Sequence, residues 1–166
     1  MARKLIGVSV AAITLAAVLL TLGSGVAFAQ VVASATGSGH FHVSGSLRTF
    51  TFNANTDSSG VTTGQTQGDN RSSGVKWHGT LNCLNVVGNV ATMAGVVTDI
   101  TPGLGDPFLV GNFIVFQVID NGEGSKAPPD LISLTFFFPA GSPNPGCTGF
   151  GVFATSPIEQ GNVQVH

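Results

Sequence analysis

Val75-Lys76-Trp77-His78-Gly79-Thr80-Leu81-Asn82-Cys83-Leu84-Asn85-Val86-Val87, followed at once by Gly88-Asn89, is the stretch that decides the fold class. Val75, Trp77, Leu81 and Cys83 share one phase, and Lys76, His78, Thr80 and Asn82 share the other. A side-chain period of two belongs to a strand with one face buried and one in water. Glycine at the first central position of a two-residue loop suits a type II′ turn, so Val90 to Thr98 is predicted to return antiparallel.

The same alternation recurs on both sides of this hairpin. Gly37 to Val43 alternates around Phe41 and Val43, and Arg48 to Ala54 sets Phe50, Phe52 and Ala54 against Thr49, Thr51 and Asn53. The polar run Asn55 to Gly60 reads as a turn, Val61 to Gln67 as a partner strand, and Gly68 to Gly74 as a loop. Phe113 to Asp120 and Leu131 to Phe138 are apolar on both parities, as expected of strands covered on both faces. Gly149 to Ala154 and Asn162 to Val165 read as short closing strands. Helical periodicity is absent beyond the N-terminal segment. The predicted fold is therefore all-β: one antiparallel meander of eight or nine strands, a closed or nearly closed β-barrel that removes exposed edges, with a two-sheet β-sandwich as the alternative.

The N-terminus carries Arg3 and Lys4, then an apolar run from Leu5 to Leu22, then Ala27-Phe28-Ala29. A cationic start, an apolar centre and small residues before a cut read as a signal peptide over 1–29, cleaved between Ala29 and Gln30, with an uncleaved anchor as the alternative. That leaves 30–166 as one secreted, extracellular domain with no membrane attachment after cleavage. Its cations are Arg48, Arg71, Lys76 and Lys126 and it has eight acids, so its net charge is 4 − 8 = −4. So few cations cannot neutralise many phosphates, which argues against nucleic acid as a partner. Cys83 and Cys147 are an even pair in an oxidising compartment and read as one disulfide.

From Gly74 onward the chain resembles a set of uncharacterised secreted bacterial proteins. The matching residues are His78-Gly79, Cys83-Leu84, Gly88-Asn89, Gly95-Val96-Val97, Asp120-Asn121-Gly122-Glu123-Gly124 and Pro128-Pro129-Asp130. The likeness reaches weakly to Phe50-Thr51-Phe52-Asn53-Ala54 and Gly161-Asn162-Val163. It implies secretion and a shared fold, and it transfers no catalytic residue.

Three groups of residues are candidates for chemistry. Asp120, Glu123 and Asp130 sit within one glycine-containing loop, where hard oxygen ligands would suit Ca²⁺. Asp and Asn beside Gly also form ordinary turns, and the turn is the preferred reading; no other cofactor is called for. His40, His42 and His78 could supply zinc ligands, but Phe41, Val43, Trp77 and Leu81 claim the core side of their strands, so all three imidazoles are expected to point outward. Asp99, Asp106, Asp120, Glu123 and Asp130 could pair for glycoside cleavage, with nothing to single out two of them. No glycine-x-serine-x-glycine elbow precedes a helix, and paired cysteines are not nucleophiles.

The remaining signal is aromatic. Trp77, Phe113, Phe116, Phe136 and Phe138 are the residues expected to line a cavity for an apolar small molecule, with a packed core as the default. Three functions follow from these observations: binding of an apolar ligand or surface partner, a structural or interaction module of the cell envelope, and a cyclase- or hydrolase-type enzyme. The first is preferred and the enzyme is placed last.

Overall fold

A computed structural model describes residues 30–103, 109–124 and 126–166. The predicted leader and Asp106 lie outside the described residues. Among the described residues ten strands follow one another: β1 (Val31–Val43), β2 (Ser46–Asp57), β3 (Thr62–Asn70), β4 (Val75–Val87), β5 (Val90–Thr101), β6 (Phe113–Ile119), β7 (Leu131–Ser133), β8 (Phe136–Phe138), β9 (Thr155–Pro157) and β10 (Gln160–Val165). No described helix is long and apolar enough to cross a membrane.

Every pairing is antiparallel, in the order β10-β1-β2-β3-β4-β5-β6-β7-β9, with β8 also on β6. The nine-strand path curls through 292° into an open half-barrel. Of the closed or nearly closed barrel expected from the sequence, the fully closed form is not reached. The path ends at β9 and β10, which are consecutive in the chain and separated only by Ile158 and Glu159. Ile158 N–H donates to Asp130 O on one side of this seam, and Glu159 N–H donates to His40 O on the other.

The turns follow local chemistry. Gly88 has φ 61°, while Asn89 is not in the left-handed region, as the predicted type II′ geometry requires. In the turn before β3, Asp57 Oδ1 accepts from Ser59 Oγ, Ser59 N–H and Val61 N–H. The Ser59 hydroxyl leads these bonds in holding the Asp57 carboxyl below its ordinary range. Their contribution is present at neutral pH and fades as pH falls through that depressed value.

The inner face carries the core: Phe41, Phe52, Trp77, Leu81, Met93, Ile114, Phe116 and Val118 are all buried. Small residues sit across the ladder from the largest. Gly68 lies opposite Trp77, and a Cβ there would collide with the indole.

The predicted phase of β4 changes partway along it. Leu81 pairs with Gly95 and Cys83 pairs with Ala94, so two residues of β4 oppose one of β5. This bulge turns Cys83 away from Trp77 and Leu81 to the outer face, where it packs with Ala94, Val115 and Cys147. There it bonds Cys147, with a Cα–Cα distance of 5.7 Å. The disulfide ties the irregular segment 139–154 over β5 and β6.

Gly149 to Ala154, predicted as a strand, has no ladder of its own and is held by a buried side chain. Gln117 Nε2 donates to Gly151 O at 2.9 Å, and Phe153 N–H donates to Gln117 Oε1 at 2.8 Å. The predicted strand Leu131 to Phe138 is broken for a related reason. The Ser133 hydroxyl, not a backbone carbonyl, accepts from Gln117 N–H and then donates to Leu134 O, which interrupts the ladder between β7 and β8.

Replacing both cysteines by serine is expected to lower unfolding free energy by about 4 kcal/mol, from the entropy of closing so long a loop. Urea unfolding of the oxidised protein and the double variant measures the difference. Equal midpoints and slopes would show that the strap does not constrain the unfolded chain.

Candidate functional site

One end of the half-barrel stays open as a cleft of about 180 Å³. Phe41 of β1, Arg48 and Phe50 of β2, Gly68 and Asn70 of β3, and Val75 and Trp77 of β4 form one wall. The run from Ile132 to Thr135, with Phe137, forms the other. Strand register explains the first wall: Arg48 lies opposite both Phe41 and Asn70, so it shares the inner face with Phe50 and Phe52. Two aromatic pairs flank the opening. Phe41 and Phe50 have ring centroids 6.0 Å apart, and Trp77 meets Phe137 edge-to-face at 5.6 Å.

The polar atoms of this cleft are incompletely partnered. Arg48 Nε is buried without a hydrogen-bond partner, as is Asp69 Oδ1. The other Asp69 oxygen accepts from Arg71 Nε at 3.1 Å. Asn70, in contrast, is fixed, with its Oδ1 accepting from Ser46 Oγ and Ser72 N–H. An aromatic-walled recess with a guanidinium in its wall can bury an apolar body and hydrogen-bond a polar end.

Of the aromatic residues expected to line a cavity, Trp77 alone borders this cleft. Phe116 is buried deeper in the inner core against Phe52, with ring centroids 5.6 Å apart. Phe113, Phe136 and Phe138 belong to the outer face. Phe113 pairs with Phe138 and Val115 with Phe136, so all four point away from Ile114 and Phe137. Phe138 joins the cluster around the disulfide, and Phe136 packs on Phe153 at 4.9 Å. Arg48 was missed because the pattern was scored on apolar residues. Its parity, in step with Phe50, Phe52 and Ala54, was the available signal.

The acidic loop lies at the opposite end of the barrel, beside the β4–β5 turn, where Asp120 N–H donates to Asn89 O. Its carboxylates face the seam. Asp130 is buried; its Oδ1 accepts from Asn121 N–H and its Oδ2 from Val163 N–H, each at 2.8 Å. Asp120 Oδ1 accepts from Gly122 N–H, and its Oδ2 from Val165 N–H at 3.0 Å. Glu123 Oε1 accepts from Asn162 Nδ2 at 2.7 Å. Asp120 and Asp130 thus receive N–H groups from the edge of β10 that faces away from β1.

The histidines do not converge. His40 and His78 stand on β1 and β4, three strand spacings apart or roughly 14 Å across the sheet. His42 Nδ1 meets Glu159 at 2.8 Å on the surface. Among the described residues, no group of three or more His, Cys, Asp or Glu is placed to hold a metal ion. The outer face carries rows of polar side chains running across strands, such as Asn162, Ser38, Thr51, Gln67 and His78.

No protein-family model matches the chain, and no curated protein or solved structure is significantly similar to it.

Asp130→Ala removes two charge-assisted hydrogen bonds to backbone N–H groups and is expected to cost about 3 kcal/mol of stability. Asp130→Asn, which keeps an acceptor oxygen, should cost less. Chemical denaturation with and without millimolar Ca²⁺ tests both roles of the loop. A large Ca²⁺-dependent rise in the wild-type midpoint that the alanine variant loses would favour the metal reading over the turn.

Proposed function

We propose that this is a secreted binding protein whose end cleft takes an apolar small molecule. The observation that carries the reading is the aromatic-walled recess between β1–β4 and the β7–β8 crossing, open to solvent at one end. A leader-like N-terminus, a disulfide and a low cation count support export, and the resemblance to secreted bacterial proteins agrees with it. The small volume limits the occupant to a single ring or a short branched chain. The half-barrel works as a scaffold, since the ladder fixes which side chains reach the recess.

A second reading, an interaction module of the cell envelope, is favoured by the polar rows of the outer face. Those rows present hydroxyls, amides and imidazoles with few charges, a surface suited to hydrogen-bonding an uncharged polar envelope component.

Trp77 reports on the first reading directly, because it is the single tryptophan, tyrosine is absent, and its ring borders the cleft. Titration with benzyl alcohol is expected to change its emission saturably. Thr135→Phe, which fills the recess from the crossing segment, should weaken that response at least tenfold while leaving the melting temperature in place. A linear, non-saturating change in both proteins would reject the cleft as a binding site and leave the outer face as the better reading.

A further inference from the structure

We propose that the cleft selects a small organic carboxylate and that Arg48 reads its charged end; this rests on the cleft being a binding site. Arg71, Lys76 and Lys126 are all exposed, whereas Arg48 is turned into the aromatic wall. A guanidinium drawn partly out of water loses hydration, and that loss is offset only when its N–H groups find acceptors. Arg48 Nε has none among the described residues. Its planar donor fork matches the two oxygens of a carboxylate better than it matches a single hydroxyl or carbonyl oxygen.

Arg48, Arg71 and Lys76 gather at the cleft end, where β2 begins and β3 turns into β4. Of the described acids at this end, Asp69 places one oxygen on Arg71 and stands opposite Lys76 on the ladder, Glu159 bonds His42, and Asp99 stands opposite His78. Asp120, Glu123 and Asp130 are collected at the other end, by the β4–β5 turn and the seam. Three of the four cations of 30–166 therefore lie where the cleft opens, in company with Asp69, Asp99 and Glu159. The attraction between the Arg48 guanidinium and a charged ligand end weakens as salt rises. The cleft volume of about 180 Å³ and the Phe41, Phe50, Trp77 and Phe137 rings leave room for a compact apolar body behind the carboxylate.

Phenylacetate and its neutral isostere phenylacetamide separate the head group from the body. Titrations followed by Trp77 emission at neutral pH and low salt are expected to show phenylacetate binding at least tenfold more tightly, with the preference shrinking as salt is added. Arg48→Met should lose the preference, so that the two probes bind it with equal affinity. Arg48→Lys, which keeps the charge without the fork, should retain only part of it. Equal affinity of the wild type for both probes, or an undiminished preference in Arg48→Met, would overturn the assignment while leaving the cleft reading in place. Saturation by neither probe, nor by benzyl alcohol, would instead reject the cleft itself. The comparison of the two probes on the wild type stands even if a variant fails to fold.

Discussion

The structure depends on how a curled sheet treats the N–H groups of its last strand. A nine-strand path that stops short of closing its ladder leaves one side of β10 without a neighbouring backbone. Unpaired N–H groups beside a core are costly, and an open edge invites pairing with other chains. Here Asp130 and Asp120 supply acceptors at Val163 and Val165, two residues apart along that edge. Carboxylate side chains from the β6–β7 connection replace the carbonyls of an absent strand. Each also caps its own loop, so a single pair of residues orders the connection and seals the seam.

The second constraint lies on the other side of the sheet. β5 and β6 are apolar on both faces, so the outer face of this region needs a cover as much as the inner one does. The segment 139–154 provides it without a backbone ladder, pinned by the disulfide at Cys147 and by Gln117 at Gly151 and Phe153. The β4 bulge makes the disulfide possible. Without that extra residue, Cys83 would stay in the Trp77 phase and its sulfur would face the core, out of reach of the covering segment.

These features mark the boundary of what one-dimensional pattern reveals. The hairpin at Gly88-Asn89, the inward phase of Phe50, Phe52 and Ala54, and the outward histidines were all legible, because each follows from alternation and local turn chemistry. The bulge was not, since Thr80-Leu81-Asn82-Cys83 alternates without fault and the slip lies in register with β5. The split of Phe136, Phe137 and Phe138 between two faces was also hidden. Three identical side chains carry no phase, and Ser133 sets it by breaking the ladder just upstream. Asp120, Glu123 and Asp130 share one loop, which lies against the seam. What they meet there is the backbone and the Asn162 amide of β10, a partner that only tertiary structure brings to that loop.

Arg48 shows why the cleft cannot be dismissed as leftover space. A barrel end with no task to perform is closed most simply by another apolar side chain at the Arg48 position, which continues the inward phase of Phe50, Phe52 and Ala54. Replacing an inward charge with an apolar group of similar size is commonly neutral or stabilising. The guanidinium sits instead at the point where that phase reaches the opening, with Nε unpartnered among the described residues. Inward charges do blunt exposed strand edges, but β2 is flanked on both sides by β1 and β3, so Arg48 protects no edge. A desolvated donor that protects no edge is what a binding site for an acceptor-bearing ligand requires.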